Sequence, residues 1–375
     1  MINRKLGRGG PDVGVIGLGT EYLVGQPRQE VVATLHEALD NGASYIDALY
    51  AYPEYRDNVG AGLKGRRDQA VIAGHIGAAV TDDGQYRKTS DTAECARFWD
   101  DLLTRLGIDY AEVAVLQWID AARELRQAMK PGGILELAQR LKEQGKARLI
   151  GLSCHKVGIA REAVESGHLD MLMFPVNLAW NVIPGRNELL QDCAERGVGV
   201  VAMKPYAGSR LLAPREGRCL TPAQCLSYVL DQQGITCAVP GAKNAEEMRA
   251  ALSYVTASAT ERDYGSVLAE YQEELRGNCV YCNHCLPCPA GIDIGYTLRR
   301  LDTARLQRAG GRRLSERKER LEFYYGADAP SFRSYRADTV SASACTECGA
   351  CESRCPFEVE VIAKMRQAAE LAGQG

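Results

Sequence analysis

The sequence predicts an α/β chain in which a (β/α)8 barrel is followed by a small, mainly α-helical domain. Over the first two thirds, short apolar runs alternate eight times with amphipathic stretches, which is typical of a barrel of about 250 residues. Near the C-terminus, eight of the 14 cysteines fall into two dense runs. We therefore predict a barrel over residues 1–272 and a cysteine-rich domain over residues 273–375.

The barrel prediction depends on runs of strand type and on stripes of helical period between them. The predicted strands are Val13–Leu18, Ser44–Asp47, Ala70–His75, Glu112–Leu116, Arg148–Leu152, Met171–Phe174, Gly199–Met203 and Thr236–Val239. The predicted helices are Gln29–Asp40, Asp57–Leu63, Glu94–Leu106, Ile134–Gln144, Ile159–Ser166, Arg186–Arg196, Pro222–Asp231 and Ala245–Tyr254. Active sites of such barrels lie at the C-terminal ends of the strands, so the residues there are the candidate site.

The two cysteine runs share a spacing that is typical of iron–sulfur proteins. The first run is Cys279, Cys282, Cys285 and Cys288, followed by Pro289. The second run is Cys345, Cys348, Cys351 and Cys355, followed by Pro356. Three cysteines at two-residue gaps followed by Cys-Pro indicate cluster ligands, and in two-cluster ferredoxins the fourth cysteine of one run binds the other cluster.

This pattern predicts a ferredoxin-like domain with two [4Fe–4S] clusters. The first ligand set would be Cys279, Cys282, Cys285 and Cys355, and the second would be Cys345, Cys348, Cys351 and Cys288. The gap before Cys288 is two residues where three is usual, which leaves the fourth ligands open. Two structural zinc sites also need four cysteines each, and disulfides are a further alternative, but the spacing and the Cys-Pro endings favour iron.

Composition limits the classes of partner and compartment. The net charge of −3 gives no reason to expect nucleic acid as a partner. No run approaches 18 apolar residues, so we expect no membrane span. The first residues lack the apolar segment of a secretory signal. Free thiols beside a cluster pattern indicate a reducing compartment, so we expect a cytoplasmic protein.

Short motifs at the strand ends occur in an order that resembles one enzyme family. They are Arg4–Gly7, Gly17–Thr20, Tyr45–Tyr52, Gly60–Gly65, Ile150–Ser153, Ala202–Pro205 and Val239–Ala242. Over about residues 4–256 the chain resembles aldo-keto reductases. With its cysteine-rich tail, it resembles an iron–sulfur branch of that family.

The resemblance implies carbonyl reduction by hydride transfer from NADPH, with Asp, Tyr, Lys and His as catalytic residues. Asp47 and Tyr52 fall at matching positions, although Tyr50 is a possible competitor. The expected Lys is replaced by His75, and the expected His is replaced by Gln117. The predicted catalytic residues are therefore Asp47, Tyr52, His75 and Gln117.

These two replacements change the proton chemistry. A tyrosine of pKa ~10 transfers protons poorly at neutral pH without a fixed positive charge beside it. A histidine of pKa ~6.5 supplies that charge less reliably than lysine, but it can act as acid or base itself. Gln117 can bind a carbonyl oxygen but cannot carry a proton. The alternative is that His75 and Gln117 fill a pocket that has lost its activity.

The resemblance also implies a set of cofactor-binding residues. They are Gly19, Thr20, Ser153, Cys154, Lys204, Gly241 and Lys243. Three nicotinamide contacts are altered, because Cys154, Met173 and Met203 stand at their positions. The phosphate end still offers backbone amides, a lysine and a helix N-terminus. Cys154 is either a reactive thiol or a residue that fills space.

Together these observations predict an iron–sulfur oxidoreductase that acts on a small carbonyl or hydroxyl compound, such as a sugar-like molecule or an enone. The clusters would relay electrons to or from an outside ferredoxin or flavodoxin. The basic segment Leu298–Leu321 is either its dock or a solvated helix face. One alternative is a lyase or dehydratase that needs no NADPH, and another is an electron carrier or redox sensor without enzymatic activity.

Overall fold

The structure, a computed structural model, describes residues 1–178, 185–207, 211–212, 220–265, 277, 279, 285–298, 301, 340–355 and 358–373. Residues 1–178 and 185–264 form one compact unit, and the described residues from 265 onward belong to a second. The predicted boundary between residues 272 and 273 lies outside the described residues and stays a prediction.

The chain begins with an antiparallel hairpin of β1 (Asn3–Lys5) and β2 (Asp12–Gly14). The backbone N–H of Arg8 donates to the carbonyl of Gly197, 2.7 Å away, just before a barrel strand begins. The hairpin therefore covers the end of the barrel where the strands start. The predicted first strand, Val13–Leu18, is wrong in its first half, because residues 12–14 form a strand of this hairpin and not of the barrel.

Eight parallel strands form the barrel. They are β3 (Leu18–Gly19), β4 (Tyr45–Ala48), β5 (Val71–Ile76), β8 (Ala111–Leu116), β9 (Ala147–Ser153), β10 (Met171–Pro175), β11 (Gly199–Met203) and β12 (Ile235–Val239). Each is hydrogen-bonded to the next in this order. Parallel bridges from Ile16 to Ala238 and from Gly19 to Gly241 join the first strand to the last, which closes the sheet. The predicted α/β barrel is confirmed.

The strand register brings the candidate residues to one end of the barrel. Asp47 on β4 lies opposite Ala73 on β5, and His75 on β5 lies opposite Val115 on β8. The strands are parallel and side chains alternate between the two faces of the sheet, so this register fixes which side chains meet at the C-terminal end. We call this end the barrel mouth.

Helices connect the barrel strands, and most lie within a few residues of the prediction. They are α1 (Arg28–Asp40), α2 (Pro53–Leu63), α3 (Thr92–Leu106), α4 (Ala122–Met129), α5 (Ile134–Glu143), α6 (Val157–Glu165), α7 (Arg186–Arg196), α8 (Pro222–Leu230), α9 (Ala245–Leu252) and α10 (Ala259–Arg262). Their starts carry ordinary signals. Pro53 opens α2, Asp91 caps α3, and Thr221 forms a capping box with Gln224 on α8.

Inward-facing side chains fill the barrel. The cluster consists of Leu6, Val13, Tyr45, Val71, Ala73, Val113, Val115, Leu149, Met171, Met173, Val201, Met203, Cys237 and Val239. Burying an aliphatic side chain contributes about 1.5–3 kcal/mol, so this cluster supplies much of the stability of the unit. Met173 and Met203, which the resemblance places at nicotinamide contacts, belong to this core.

A second hairpin follows β5 at the barrel mouth. Its strands are β6 (Ala78–Val80) and β7 (Tyr86–Lys88), and Ala78 and Ala79 pack against Ala51. Three-residue strands are too short to produce a periodic signal, and the sequence did not predict this hairpin. It lies beside the loop that carries Tyr52.

The described residues of the second unit include the α-helices α11 (Ala350–Ser353) and α12 (Val361–Gly373), and residues 294–298 are helical as well. The predicted helical stretch between the cysteine runs lies largely outside the described residues. Among the helices that the structure describes, none is long and apolar enough to cross a bilayer.

Close packing of α2 against α3 predicts opposite effects for one substitution at two glycines. A Cβ on Gly60 would lie 2.3 Å from the backbone oxygen of Arg105, whereas a Cβ on Gly158 in α6 meets nothing within 4 Å. We expect Gly60→Ala to lower the free energy of unfolding by about 1–3 kcal/mol because the backbone must move. Gly158→Ala should leave it unchanged or raise it by up to about 1 kcal/mol. Urea unfolding measures the free energy of unfolding of both variants. Equal changes in the two variants would contradict the close approach of α2 to α3.

Candidate active site

A buried carboxylate–imidazole pair lies at the barrel mouth. His75 Nε2 is 2.8 Å from Asp47 Oδ1, and both residues are buried. The two strands that carry them are neighbours, so the pair follows directly from the register. The structure thus brings together two of the four predicted catalytic residues.

Thr20 and Tyr55 support the Asp47 end of this pair. The hydroxyl of Thr20 donates to the backbone carbonyl of Asp47 and also shares a short hydrogen bond with the hydroxyl of Tyr55. Burial raises the pKa of Tyr55 well above its ordinary value, and the hydrogen bond from Thr20 opposes this only in part. Thr20, predicted as a cofactor ligand, therefore has a structural role at the strand end.

Gln117 ends the strand beside His75. Its backbone N–H donates to the carbonyl of Ile76 at 3.0 Å, and its side chain is buried. Within the described part of the chain, Gln117 Oε1 and His75 Nδ1 are both buried without a hydrogen-bond partner. A buried polar atom without a partner costs about 1–3 kcal/mol, so two on neighbouring strands indicate a polar recess that suits a ligand.

Tyr52 belongs to a group of tyrosines between the β4 loop and the second hairpin. The Tyr50 ring lies 5.6 Å from that of Tyr52 and 5.3 Å from that of Tyr86, centre to centre. Burial raises the pKa of Tyr52, and a hydrogen bond with the backbone of Tyr86 opposes this only in part. The Tyr50 hydroxyl donates to Glu21 instead, 3.3 Å away. Neither phenol is bonded to the Asp47–His75 pair among the described contacts.

A second carboxylate–imidazole pair joins the ends of β8 and β9. Asp120 Oδ2 lies 3.0 Å from His155 Nδ1, and Asp120 Oδ1 accepts a 2.6 Å bond from the His155 backbone N–H. The indole of Trp118 donates to Asp120 Oδ2 at 2.6 Å. Burial raises the pKa of Asp120, but the bonds and charge of His155 outweigh it and hold that pKa well below its usual range.

The predicted cofactor residues at β9 and β11 differ in accessibility. Ser153 ends β9 and is buried. Cys154 is also buried, its thiol lies 3.4 Å from the Lys156 carbonyl, and burial raises its pKa. Burial and the raised pKa favour the interpretation that this thiol fills space, since the thiolate is the nucleophile. Lys204 is exposed after β11, with a backbone φ of 56°.

The predicted phosphate end is occupied by the protein's own carboxylates. Glu247 Oε2 accepts from the Lys243 backbone N–H at 3.0 Å, and Glu30 Oε1 accepts from the Ala245 N–H at 3.3 Å. The ammonium of Lys243 pairs with Glu247 Oε1 at 3.1 Å. The amides and the lysine that the sequence predicts for a phosphate thus have partners already. Gly241 lies under the ring of Tyr22, where a Cβ would come within 2.4 Å.

Comparisons with known proteins agree with this barrel. A model of the aldo/keto reductase family matches residues 14–220, more than half of the 375-residue chain. The chain belongs to the aldo/keto reductase family. The NADH-specific methylglyoxal reductase of Escherichia coli (strain K12) is 26% identical over 209 residues, and the match covers 51% of this chain and 63% of that relative. The chain thus spans less than two thirds of the relative's length.

A solved structure shows the same barrel. The holo form of an aldo-keto reductase from Bacillus halodurans matches with a TM-score of 0.60 and 22% identity, over 72% of this chain and 96% of that one. At this identity the match shows the fold alone. Since the family match ends at residue 220, the cysteine runs lie beyond it.

Four cysteines in the second unit line one cavity. They are Cys288, Cys345, Cys348 and Cys351, and apolar side chains of Ile292, Ile294, Val361 and Met365 complete the walls. These are the four cysteines that the sequence predicts for the second cluster. Within the described ranges, no three His, Cys, Asp or Glu side chains converge on one point as they would around a single metal ion.

The other predicted ligand set is only partly described. Cys279, Cys285 and Cys355 lie within the described residues, and Cys282 lies outside them. Most of the basic segment Leu298–Leu321 also lies outside them. These parts of the prediction stay predictions.

A double-mutant cycle tests the Asp47–His75 pair. Replacing either partner by Ala leaves the other buried and unpaired, so we expect a coupling energy of about 0.5–3 kcal/mol in the free energy of unfolding. The exposed pair of Lys5 and Asp12, with 3.3 Å between the charged atoms, is the control and should show much weaker coupling. Additive effects of Asp47→Ala and His75→Ala would show that the two side chains do not interact.

Proposed function

We propose that this chain is an oxidoreductase that acts at the barrel mouth on a small carbonyl or hydroxyl compound, with electrons relayed through two [4Fe–4S] clusters of the second unit. The observation that supports the active site best is the buried Asp47–His75 pair beside the unpartnered oxygen of Gln117. In barrels of this architecture the C-terminal mouth is where catalysis takes place. Family membership makes reduction or oxidation the favoured reaction class.

The recess suits a small oxygen-bearing substrate. Asp47 holds the imidazole of His75, on the strand beside the one that Gln117 follows. The side-chain amide of Gln117 has an oxygen that accepts and a nitrogen that donates, and either end can face a ligand. A substrate carbonyl or hydroxyl oxygen would accept a hydrogen bond from the amide nitrogen of Gln117. Because burial raises the pKa of Tyr52, its phenol stays protonated at neutral pH and is a weak acid.

A nicotinamide cofactor, when bound, supplies hydride to such a site. Ser153 and Lys204 at the strand ends are the residues that would hold it. The fit is better for NADH than for NADPH, because an added phosphate at the start of α9 would meet the carboxylates of Glu30 and Glu247. Like charges at such close range are unfavourable. This supports NADH as the cofactor, in place of the predicted NADPH.

We therefore expect the anaerobically purified protein to bind NADH more tightly than NADPH. Glu247→Gln should narrow the ratio of the two dissociation constants by about tenfold, which corresponds to 1.4 kcal/mol. The control is Glu246→Gln, which removes the same charge from an exposed neighbour on α9 and should change the ratio less. Cofactor fluorescence gives the constants, and a preference for NADPH would contradict the assignment.

The same titration tests the reaction class. Cluster absorbance that bleaches as NADH binds would support a nicotinamide-linked reductase with functional clusters, and methylglyoxal is the first carbonyl to add. If the protein binds no NADH while its clusters are intact, it is not a nicotinamide-linked reductase. That outcome would favour the alternative, acid–base chemistry of the lyase or dehydratase type.

The cluster assignment is supported by the cysteine cavity. A [4Fe–4S] cluster is bound by four thiolates around a volume, not at one point, so its ligands line a cavity of this kind. The apolar walls supplied by Ile292, Ile294, Val361 and Met365 would keep water from the sulfurs. An outside ferredoxin or flavodoxin would exchange single electrons with the clusters.

Metal analysis tests this assignment directly. Two clusters predict about eight iron and eight sulfide per chain, and loss of one cluster predicts about half of each. Cys345→Ala should produce that loss. The control is Cys193→Ala, which removes a buried thiol from the barrel helix α7 and should leave the iron content unchanged. Stoichiometric zinc without iron would contradict the clusters.

A further inference from the structure

The cysteine cavity of the second unit has one corner that faces solvent. Among the cysteines that line it, Cys348 is exposed, Cys345 and Cys288 are partly exposed, and Cys351 is buried. Thr346, which also lines the cavity, is exposed as well. Water and an outside electron carrier can therefore approach the cavity at Cys348, and we call this place the exposed corner.

The side chain of Arg354 joins the two cysteine runs at this cavity. Its Nε donates to the carbonyl of Ala350 at 2.8 Å, and its Nη2 donates to the carbonyl of Pro287 at 3.1 Å. Pro287 comes directly before Cys288 in the first run, and Ala350 comes directly before a cysteine of the second run. The rigid, planar guanidinium donates from several nitrogens at once, so these bonds fix its charge beside both runs.

The positive charge of Arg354 has no carboxylate partner among the residues that the structure describes. Its two acceptors are carbonyl oxygens, and the nearby Glu352 accepts from the backbone N–H of Ile362 at 2.8 Å. Arg366 on α12 differs, because its Nε and Nη2 each lie 2.6 Å from a carboxylate oxygen of Glu347. The charge of Arg366 is thus cancelled locally, whereas the charge of Arg354 is not.

An uncancelled positive charge at this position affects electron uptake. The reduction potential of an iron–sulfur cluster depends on net charge, on hydrogen bonds to the sulfurs and on solvent exposure. Reduction adds one negative charge, which a nearby cation stabilises and which water stabilises at an exposed corner. Because the corner is open to water and salt, screening limits the effect to about three- to tenfold in the equilibrium constant of reduction.

We propose that the exposed corner at Cys348 is where an outside carrier exchanges electrons with the protein, and that Arg354 favours the reduced state of the cluster held there. This inference rests on the proposed function, since it assigns roles to residues around the second cluster. In each exchange one partner loses one electron and the other gains it, and no bond forms or breaks. Arg354 touches no reacting atom, so it is a positioning residue that acts through its fixed charge.

A redox titration of the full, anaerobically purified chain, followed by electron paramagnetic resonance, tests the role of Arg354. Arg354→Gln should make one-electron reduction of one cluster about three- to tenfold less favourable, and a tenfold change corresponds to about 59 mV. The shifted signal should be the one that Cys345→Ala removes. Arg354→Lys keeps the charge and should leave the potential close to that of the unsubstituted chain.

The matched control is Lys364→Gln on α12. It removes the same charge from a side chain with no described bond to either cysteine run, so it should shift the potential less. An unchanged potential in Arg354→Gln, with both clusters intact, would overturn the proposal. A potential as low in Arg354→Lys as in Arg354→Gln would also overturn it, because the effect would then come from lost bonds and not from charge. A chain without iron would instead refute the proposed function on which this inference rests.

The rates of reduction test the exposed corner separately. Reduced methyl viologen is a cation and dithionite is an anion, so a local charge steers the two reductants in opposite directions. Arg354→Glu should slow reduction by dithionite several-fold and speed reduction by viologen, whereas a lower potential alone would slow both. In the unsubstituted chain, added salt should slow dithionite and speed viologen, and this measurement does not depend on a variant that assembles its clusters. Rates that respond neither to Arg354→Glu nor to salt would show that electrons enter elsewhere and would overturn the proposal.

Discussion

Closure of the parallel sheet is the constraint on which the rest of the structure depends. The first and last strands meet through glycines, and the Gly19 N–H donates to the Pro240 carbonyl at 2.9 Å. A Cβ on Gly19 would lie 3.2 Å from the carbonyl oxygen of Val239, so a larger residue would require the strands to shift by a few tenths of an ångström. Once the sheet is closed, every strand ends at the same rim. Side chains far apart in sequence then become neighbours without any local signal.

Two carboxylate–imidazole pairs occupy this rim, and their environments differ. Asp47 and His75 are held between neighbouring strands, under the Thr20 and Tyr55 hydroxyls. Asp120 and His155 lie on the loops just beyond the strands, where water reaches them. A buried pair contributes a fixed polar arrangement, whereas an open pair can exchange protons with a ligand. The two pairs thus differ in exposure although both lie just beyond or at the ends of barrel strands.

Much of this arrangement could be predicted from the sequence. The strand ends were located by apolar runs, so the approach of Asp47 to His75 follows from neighbouring strands. Cys345, Cys348 and Cys351, which line one cavity, were grouped by spacing, and Cys288 was added from the ligand exchange that is typical of two-cluster ferredoxins. The pair of Asp120 and His155 could not be predicted in this way, because its partners are 35 residues apart on two irregular loops. The only signal was that each follows a barrel strand.

The carboxylates at α9 were missed for a related reason. Glu30 lies 215 residues from the amide that it accepts, and nothing near Lys243 in the sequence indicates that contact. A lysine at a helix start predicts an anion site only while its charge is free. Here Glu247, one turn along the same helix, pairs with it. The local sequence located the start of α9 but did not indicate the negative charge around it.

The hairpin of β6 and β7 has a consequence for how this barrel can diversify. Its sides contact the site, because Tyr86 meets Tyr50 and Lys88 holds Trp118, while its turn at residues 81–85 is mostly exposed. The barrel sheet does not include these strands. Changes in the length or composition of the turn can therefore reshape the entrance for new substrates while the eight-stranded scaffold keeps its stability.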